Sequence, residues 1–309
     1  MTPDGVVDWL TADPARTGLL ADFDGTLSSI VDDPEAATPL AGVVSTLHGL
    51  ASRLAVVAVV SGRPARFLVD RLALEGSPGR LHAYGLHGLE HTTGSGIEVA
   101  PAVLAWQEPL RAAWDDLERG APPGIVLEDK GFGLTLHWRL ASSPAAAQLG
   151  RALADQVAAA HGLHVRPGRA SVELVPPVGV DKGTVVLEWG RRLASTAGVA
   201  ARRGSEAGEA ARLGSEAGEA SLLGSEAGRA PRLAFFGDDV GDELAFEALA
   251  VLASGGTAHA LRVAVRSAEA PSSLLDTADV VLDEPAEAAR VLALALERLD
   301  ATARRPPPA

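Results

Sequence analysis

The chain of 309 residues contains no cysteine. Disulfides, zinc–thiolate sites and thiol nucleophiles are therefore excluded. Aromatic residues supply only 4% of the sequence, so the core has to be built mainly from the alanine, valine and leucine within the 47% apolar fraction. A chain of this length has room for one large or two ordinary domains.

The sequence also has no apolar run of about 18 residues, the length that a membrane-spanning helix needs. Its N-terminus has no basic segment followed by an apolar run, which a signal peptide would show. We therefore expect a cytoplasmic protein. The formal net charge of −13 disfavours nucleic acid as a partner, because such a partner requires a basic face. A small molecule is the expected partner, and the sequence leaves protein partners and oligomeric state open.

The most informative motif is Asp-Phe-Asp-Gly-Thr-Leu at residues 22–27, which follows the apolar run 18–21. That run is typical of a buried parallel strand, and the ends of such strands border the ligand crevice of open α/β sheets. Asp22 and Asp24 can act there as nucleophile and general acid/base, with Mg²⁺ between carboxylate and phosphate. Thr26 offers a hydroxyl and an N–H to phosphate oxygens. The alternative is an Asx turn that only ends the strand.

Three further polar motifs follow later predicted strands and loops. They are Ser61 and Arg63 after the apolar run 56–60, Lys182 after the loop 176–181, and Asp238, Asp239 and Asp242 after the apolar run 233–236. A serine and cations can hold phosphate oxygens, and carboxylates can hold a metal ion. Each motif alone has a structural alternative, such as a turn, a surface lysine or an acidic helix N-terminus. Their order along the chain favours a phosphoryl-transfer site.

The distribution of apolar residues predicts two kinds of architecture. Strands at 18–23, 55–60 and 82–90 alternate with helices at 39–53 and 64–73, which predicts a parallel sheet. Residues 102–178 then read as helix–strand–strand–helix–strand–strand (αββαββ), and we interpret them as a cap domain over the active site. The predicted core comprises residues 1–101 and 179–309.

Residues 204–230 are a decamer repeated in tandem. A ten-residue period fits the helical repeat of about 3.6 residues poorly, and two glycines in each repeat weaken a helix further. We interpret this segment as a loop expanded by duplication. The alternative is an arm that binds a partner or drives self-association.

The order of these motifs resembles that of the haloacid dehalogenase (HAD) superfamily of phosphatases. Five further segments make the chain similar to the trehalose-6-phosphate phosphatase family within it. They are Gly-Leu-His-Gly-Leu-Glu at 85–90, Glu-Asp-Lys at 128–130, His-Trp-Arg at 137–139, Pro-Gly-Arg at 167–169 and Val-Glu-Leu at 172–174. The resemblance covers residues 15–290 except for the repeat. It implies an α/β fold with a Rossmann-like HAD core, an inserted α+β cap and Mg²⁺-dependent hydrolysis of trehalose 6-phosphate.

The resemblance also implies roles for individual residues. Asp22 would form an aspartyl-phosphate, Asp24 would serve as general acid and then base, and Ser61 and Lys182 would hold the phosphoryl oxygens. The implied metal ligands are Asp22, the backbone carbonyl of Asp24, and Asp238. Asp239 or Asp242 would act on the metal indirectly, through a water molecule or by supporting the residues that bind it.

Sugar recognition is expected from the cap. The candidates for hydrogen bonds to glucose hydroxyls are Glu128, Lys130, His137, Arg139, Arg169 and Glu173. Each of them could instead form a surface salt bridge between strands, and we favour Lys130 and Glu173 as the sugar ligands. His87 and Glu90 could contact the sugar or support their own loop.

Two departures from the family pattern bear on the substrate. Val175 stands where the family commonly has arginine, and Gly241 stands where it has threonine. They leave open a phosphatase for another sugar phosphate, such as sucrose phosphate or glucosylglycerol phosphate. A sugar-phosphate sensor without catalysis is a more remote alternative, because a sensor has no need of the general acid/base.

Overall fold

The computed structural model describes residues 1–31, 34–75, 81–168, 170–196, 230–267 and 270–304. Arg169 and, apart from Ala230, the predicted repeat insertion lie outside the described residues. The chain forms two compact units. The first comprises Met1–Val60, Arg71–His82 and Lys182–Ala309, and the second comprises Ser61–Asp70 and Ala83–Asp181.

The elements follow in chain order. The strands are β1 (Thr17–Ala21), β2 (Val56–Val60), β3 (Leu81–Gly85), β4 (Glu90–Thr93), β5 (Gly96–Val99), β6 (Val126–Asp129), β7 (Leu134–His137), β8 (His164–Gly168), β9 (Ser171–Val175), β10 (Arg232–Gly237), β11 (His259–Val265) and β12 (Val280–Leu282). The α-helices are α1 (Pro3–Thr11), α2 (Val43–Ala51), α3 (Ala65–Arg71), α4 (Gln107–Gly120), α5 (Pro144–His161), α6 (182–196), α7 (Val240–Ser254), α8 (Ser272–Thr277) and α9 (Pro285–Ala303).

The first unit contains a parallel sheet in the order β12-β11-β10-β1-β2. Every residue of β1 and β2 is buried, as expected for strands covered on both faces. Because Ala21 pairs with Phe236, the carboxyl ends of β1 and β10 lie side by side. The residues that follow both strands are therefore brought to one edge of the sheet.

The second unit contains an antiparallel sheet in the order β6-β7-β9-β8. One face of this sheet packs with α4 and α5 around a core that includes Leu117, Leu134, Leu136, Ala154 and Leu174. The elements occur in the predicted order αββαββ. The predicted α/β class with an inserted α+β block is confirmed, whereas the limits of that block at residues 102 and 178 stay a prediction.

The predicted strand over residues 82–90 is wrong. Strand β3 ends at Gly85, a turn of 3-10 helix covers Leu86–Gly88, and β4 begins at Glu90 and pairs antiparallel with β3. Leu86 and His87 have φ angles of 49° and 60°. These left-handed conformations are incompatible with an extended strand.

Among the described residues, no helix combines the length and the apolar character needed to cross a membrane.

Candidate functional site

Three buried carboxylates converge in the first unit. Asp22 follows β1, Asp238 follows β10, and Asp242 lies in the first turn of α7. One carboxylate oxygen from each lies within 4.8 Å of the others. Such a set of oxygen donors suits a hard divalent cation.

Lys182, at the start of α6, is the cation of this cluster. Its Nζ lies 3.0 Å from Asp22 Oδ2 and 2.7 Å from Asp242 Oδ1. Asp239 Oδ1 is 3.6 Å from the same nitrogen. Burial alone would lower the pKa of Lys182, but the surrounding carboxylates outweigh it and raise the pKa well above its usual 10.5. The ammonium therefore stays charged next to Asp22.

Asp242 and Asp239 brace the loop that carries Asp238. Asp242 Oδ2 accepts hydrogen bonds from the backbone N–H groups of Asp238 (2.8 Å) and Asp239 (3.0 Å). Asp239 Oδ1 in turn accepts from the N–H of Asp242 at 3.2 Å, which completes a capping box on α7. Both oxygens of Asp242 are therefore engaged by the protein, so this side chain positions Lys182 and the loop.

Asp238 is held by two hydroxyl groups and a glycine. Thr26 donates from Oγ1 to Asp238 Oδ1 at 3.2 Å, and the Ser267 side chain forms a further hydrogen bond to the carboxylate. Gly25 has a φ of +72°, and a Cβ atom there would lie 2.0 Å from Asp238 Oδ2. Only glycine allows this approach. The sequence reasoning missed Ser267, although its place just after β11, the strand next to β10, was a usable signal.

The cluster carries more negative charge than Lys182 balances. Burial, reinforced by neighbouring carboxylates, raises the pKa of Asp22 and that of Asp238 to about 8 each, and Lys182 opposes both shifts. A divalent cation would relieve this repulsion, so the residues present fit Mg²⁺. Asp24 is half-buried and follows Asp22 by two residues, and its backbone bridges to Ser28.

In the second unit, Ser61 and Arg63 lie in a loop with a fixed backbone. The N–H of Ser61 donates to Tyr84 O at 2.9 Å, and Ser61 O accepts from the N–H of His87 at 2.8 Å. Arg63 O accepts from the N–H of Leu86 at 2.9 Å. These bonds tie the predicted phosphate-binding loop to the turn that carries His87.

Glu90 supports the same loop. Its Oε2 accepts a hydrogen bond of 2.6 Å from the N–H of Ala65, at the first turn of α3. Burial raises the pKa of Glu90, and the hydrogen bond from Ala65 opposes that rise. Of the two interpretations left open by the sequence, this contact favours support of the loop over contact with a sugar.

The sheet of the second unit has one polar face. Directly paired residues of antiparallel strands share a face, and the register pairs Glu128 with Thr135, Thr135 with Glu173, and Glu173 with Arg166. Since the apolar residues of β7 lie on the opposite face, this row forms a polar surface across four strands. Thr135 and Arg166 were not expected from the sequence. The alternation of side chains along each strand indicated that both residues lie on the polar face. The strand register, which aligns Thr135 and Arg166 with Glu173, was not predictable.

Ion pairs order the carboxylates of this face. Glu173 lies 3.1 Å from Lys130 Nζ and 3.3 Å from His87 Nε2, and Glu128 lies 2.9 Å from His137 Nε2. Burial would raise the pKa of Glu173, but Lys130 and His87 outweigh it and hold the pKa far below 4.5. The pKa of Glu128 is lowered too, since His137 and other cations overcome its burial.

Two further residues were predicted as sugar ligands. Arg139 lies in an exposed turn beyond the end of β7. Arg169 lies outside the described residues.

Comparisons with known proteins identify the family of this chain. The model of the trehalose-phosphatase family matches residues 20–280. The trehalose-phosphate phosphatase of Mycobacterium avium is 34% identical over 277 residues, which are 87% of this chain and 59% of the relative. That of Mycobacterium marinum is 39% identical over 178 residues, covering 56% of this chain and 44% of the relative.

The chain thus spans about half the length of these curated relatives. A solved structure of the C-terminal domain of Candida albicans trehalose-6-phosphate phosphatase shares the fold, with a TM-score of 0.66 at 22% identity. It covers 96% of this chain and 97% of that one. This likeness supports the α/β fold with an inserted α+β block, and the match of the family model shows that the chain belongs to the trehalose-phosphatase family.

Proposed function

We propose that this protein hydrolyses trehalose 6-phosphate to trehalose and phosphate. The observation that carries the proposal is the buried contact of 3.0 Å between Lys182 Nζ and Asp22 Oδ2, next to Asp238, in a member of the trehalose-phosphatase family. The charged lysine orients the Asp22 carboxylate and opposes the rise in its pKa, which favours the ionised form that attacks phosphorus. The trehalose-phosphate phosphatases among its relatives supply the substrate class.

The proposed reaction has two steps. Asp22 attacks phosphorus and forms an aspartyl-phosphate, while the bond to the sugar oxygen breaks and Asp24 gives that oxygen a proton. A water molecule then attacks the phosphorus, Asp24 takes its proton, and phosphate leaves with Asp22 regenerated. Lys182, Ser61 and Arg63 supply positive charge and hydrogen bonds to the phosphoryl oxygens.

Mg²⁺ is the proposed cofactor, and it would neutralise charge on the phosphoryl oxygens and orient them for in-line attack. Asp22, Asp238 and the backbone carbonyl of Asp24 are its proposed ligands. Asp242 and Asp239 act on this site by holding the loop and Lys182 in place, as their capping box supports. The hydroxyl of Thr26 is assigned to Asp238, to which it donates, and its backbone N–H remains the proposed phosphate contact.

The polar face of the second unit is the proposed site of sugar recognition. A disaccharide presents many hydroxyl groups, and Glu128, Lys130 and Glu173 offer both donors and acceptors close together. His87 and His137 hold the two carboxylates. Arg139 and Arg169 remain proposed contacts of the sugar, and only the resemblance of the sequence to the family supports them.

The proposal is tested by measuring phosphate release with Mg²⁺ from trehalose 6-phosphate, sucrose 6-phosphate, glucosylglycerol phosphate and glucose 6-phosphate. We expect a strong preference for trehalose 6-phosphate and no turnover by Asp22→Asn. Glu247→Gln, which removes an exposed carboxylate from α7, is the control and should keep full activity.

Each other outcome identifies a different function. A preference for another substrate would support the proposed phosphatase reaction but show that trehalose 6-phosphate is not the substrate. Binding of trehalose 6-phosphate without turnover of any substrate would favour the non-catalytic sensor.

A further inference from the structure

Thr135 has a buried hydroxyl that the proposed function has not used. The residue lies in the middle of β7 and is only 3% exposed. Its Oγ1 has no hydrogen-bond partner among the described residues. A buried hydroxyl without a partner destabilises the folded protein, because it has given up its bonds to water.

The position of this hydroxyl in the sheet is well defined. Leu134 and Leu136, its neighbours in β7, belong to the apolar core under α4 and α5. Because side chains alternate between the faces of a strand, Thr135 lies on the polar face. It is paired there with Glu128 on one side and Glu173 on the other.

Both neighbouring carboxylates are occupied by other groups. Glu128 is bonded to His137 at 2.9 Å, and Glu173 is bonded to Lys130 at 3.1 Å and lies 3.3 Å from His87. The ion pairs draw the carboxylates toward these cations. The hydroxyl between them is left without a partner at the centre of the polar row.

We propose that the Thr135 hydroxyl binds a hydroxyl group of the substrate's sugar and thereby helps to determine sugar specificity. The inference rests on the proposed function, because it assigns the polar face to the sugar. A bound sugar hydroxyl would give Thr135 the hydrogen bond that it lacks. The side chains that cover Thr135 must shift for the sugar to reach it, so binding and a local rearrangement are coupled.

Replacing a threonine with an ordinary structural role would not be expected to stabilise the protein and weaken sugar binding at once. A valine has nearly the same shape as threonine and no hydroxyl, so Thr135→Val should stabilise the free protein and weaken sugar binding. A site built to bond a hydroxyl loses discrimination when its own partner is removed. Stability and recognition should therefore change in opposite directions.

The experiment compares Thr135→Val and Thr135→Ser in the full chain with Mg²⁺. We expect Thr135→Val to raise Tm by about 2 °C. It should also raise KM about tenfold for the panel sugar phosphate that the wild type prefers. Turnover of p-nitrophenyl phosphate, which has no sugar, should be unchanged. Thr135→Ser keeps the hydroxyl and should keep the wild-type KM.

Thr92→Val is the matched control. The Thr92 hydroxyl accepts a hydrogen bond of 2.9 Å from the N–H of Ala83, so its removal should lower Tm and leave KM unchanged. If Thr135→Val does not fold, Thr135→Ala against Thr135→Ser makes the same comparison, because both variants lack the γ-methyl group and only serine keeps the hydroxyl.

An unchanged KM in Thr135→Val would overturn the inference. Failure of the proposed function is a separate result, since it would appear in the wild type as a preference for another sugar or as no turnover. If the wild type shows no turnover, the Kd for trehalose 6-phosphate is measured by calorimetry in place of KM. Equal Kd values for the wild type and Thr135→Val would then overturn the inference.

Discussion

The imidazole Nε2 of His87 lies 3.3 Å from Glu173 Oε2, although the backbone of His87 is left-handed, with a φ of 60°. A residue with a side chain rarely adopts this conformation, and it persists where surrounding contacts impose it. Here the N–H of His87 donates to Ser61 O at 2.8 Å. His87 thus links the proposed phosphate-binding loop to the carboxylate proposed to bind the sugar.

We predict that His87→Asn weakens substrate binding more than chemistry. Asparagine tolerates the left-handed backbone but is too short to reach Glu173. Loss of a hydrogen bond to a charged group should raise KM for trehalose 6-phosphate roughly tenfold, while kcat falls by less than about threefold. Steady-state kinetics test this, with His164→Asn at an exposed position of β8 as the control. A fall in kcat with unchanged KM would assign His87 to the chemical step instead.

Glu173 should make the stability of the protein depend on acidic pH. Its pKa is lowered in the folded state, because Lys130 and His87 outweigh the effect of burial. Its contribution to stability is therefore complete above the ordinary value of 4.5 and is lost as the pH falls below it toward the lowered folded value. Urea unfolding between about pH 6 and pH 3 should show a shallower decline for Glu173→Gln than for the wild type.

Glu98→Gln is the control for this measurement, since Glu98 is exposed on β5. Its unfolding free energy should follow the wild-type pH profile. Equal slopes for Glu173→Gln and the wild type would contradict a lowered pKa at Glu173.

Mg²⁺ should stabilise the protein through Asp238. A ligand that binds only the folded state at a hundredfold excess over its Kd adds about 2.7 kcal/mol, which calorimetry detects as a higher Tm. Asp238→Asn should abolish most of this increase and Glu247→Gln should keep it. An equal Mg²⁺-dependent rise in Tm for both variants would remove Asp238 from the metal site.

Asp239 and Asp242 should differ in their effect on stability. Serine at position 239 can still cap α7, so Asp239→Ser should change the free energy of unfolding by less than about 0.5 kcal/mol. Asp242→Ala removes the nearest of the carboxylates around Lys182 and the side-chain acceptor of two backbone N–H groups, and we expect a loss of about 3–5 kcal/mol. Urea unfolding measures both. If Asp239→Ser also lost the stabilisation by Mg²⁺, Asp239 would be a direct ligand of the metal.

Much of the fold could be predicted because local patterns and topology agree. The apolar runs at 18–21 and 56–60 form β1 and β2, which are buried on both faces as their composition indicates. Parallel strands place their carboxyl ends at one edge. For this reason Asp22 and Asp238 could be expected to lie close together in the fold, although they are more than 200 residues apart in the sequence.

The turn after β3 could not be predicted. Leu86 is apolar, and nothing in its immediate sequence requires a positive φ. Its conformation is fixed by a hydrogen bond to Arg63 O, and that of His87 by one to Ser61 O. Both partners lie more than 20 residues earlier in the chain, so the pattern of residues 82–90 indicated a strand.

The sequence by itself determined the buried strands β1 and β2, the αββαββ order of the inserted block and the carboxylates and lysine of the proposed chemistry, because strand periodicity and motif order are local properties of the chain. Only the tertiary structure decided what each polar side chain touches. It assigned Asp242 to the support of Lys182, Glu90 to α3 and Ser267 to Asp238. It also left the hydroxyl of Thr135 without a partner, because strand register and the competition among neighbouring charges arise only when distant segments pack together.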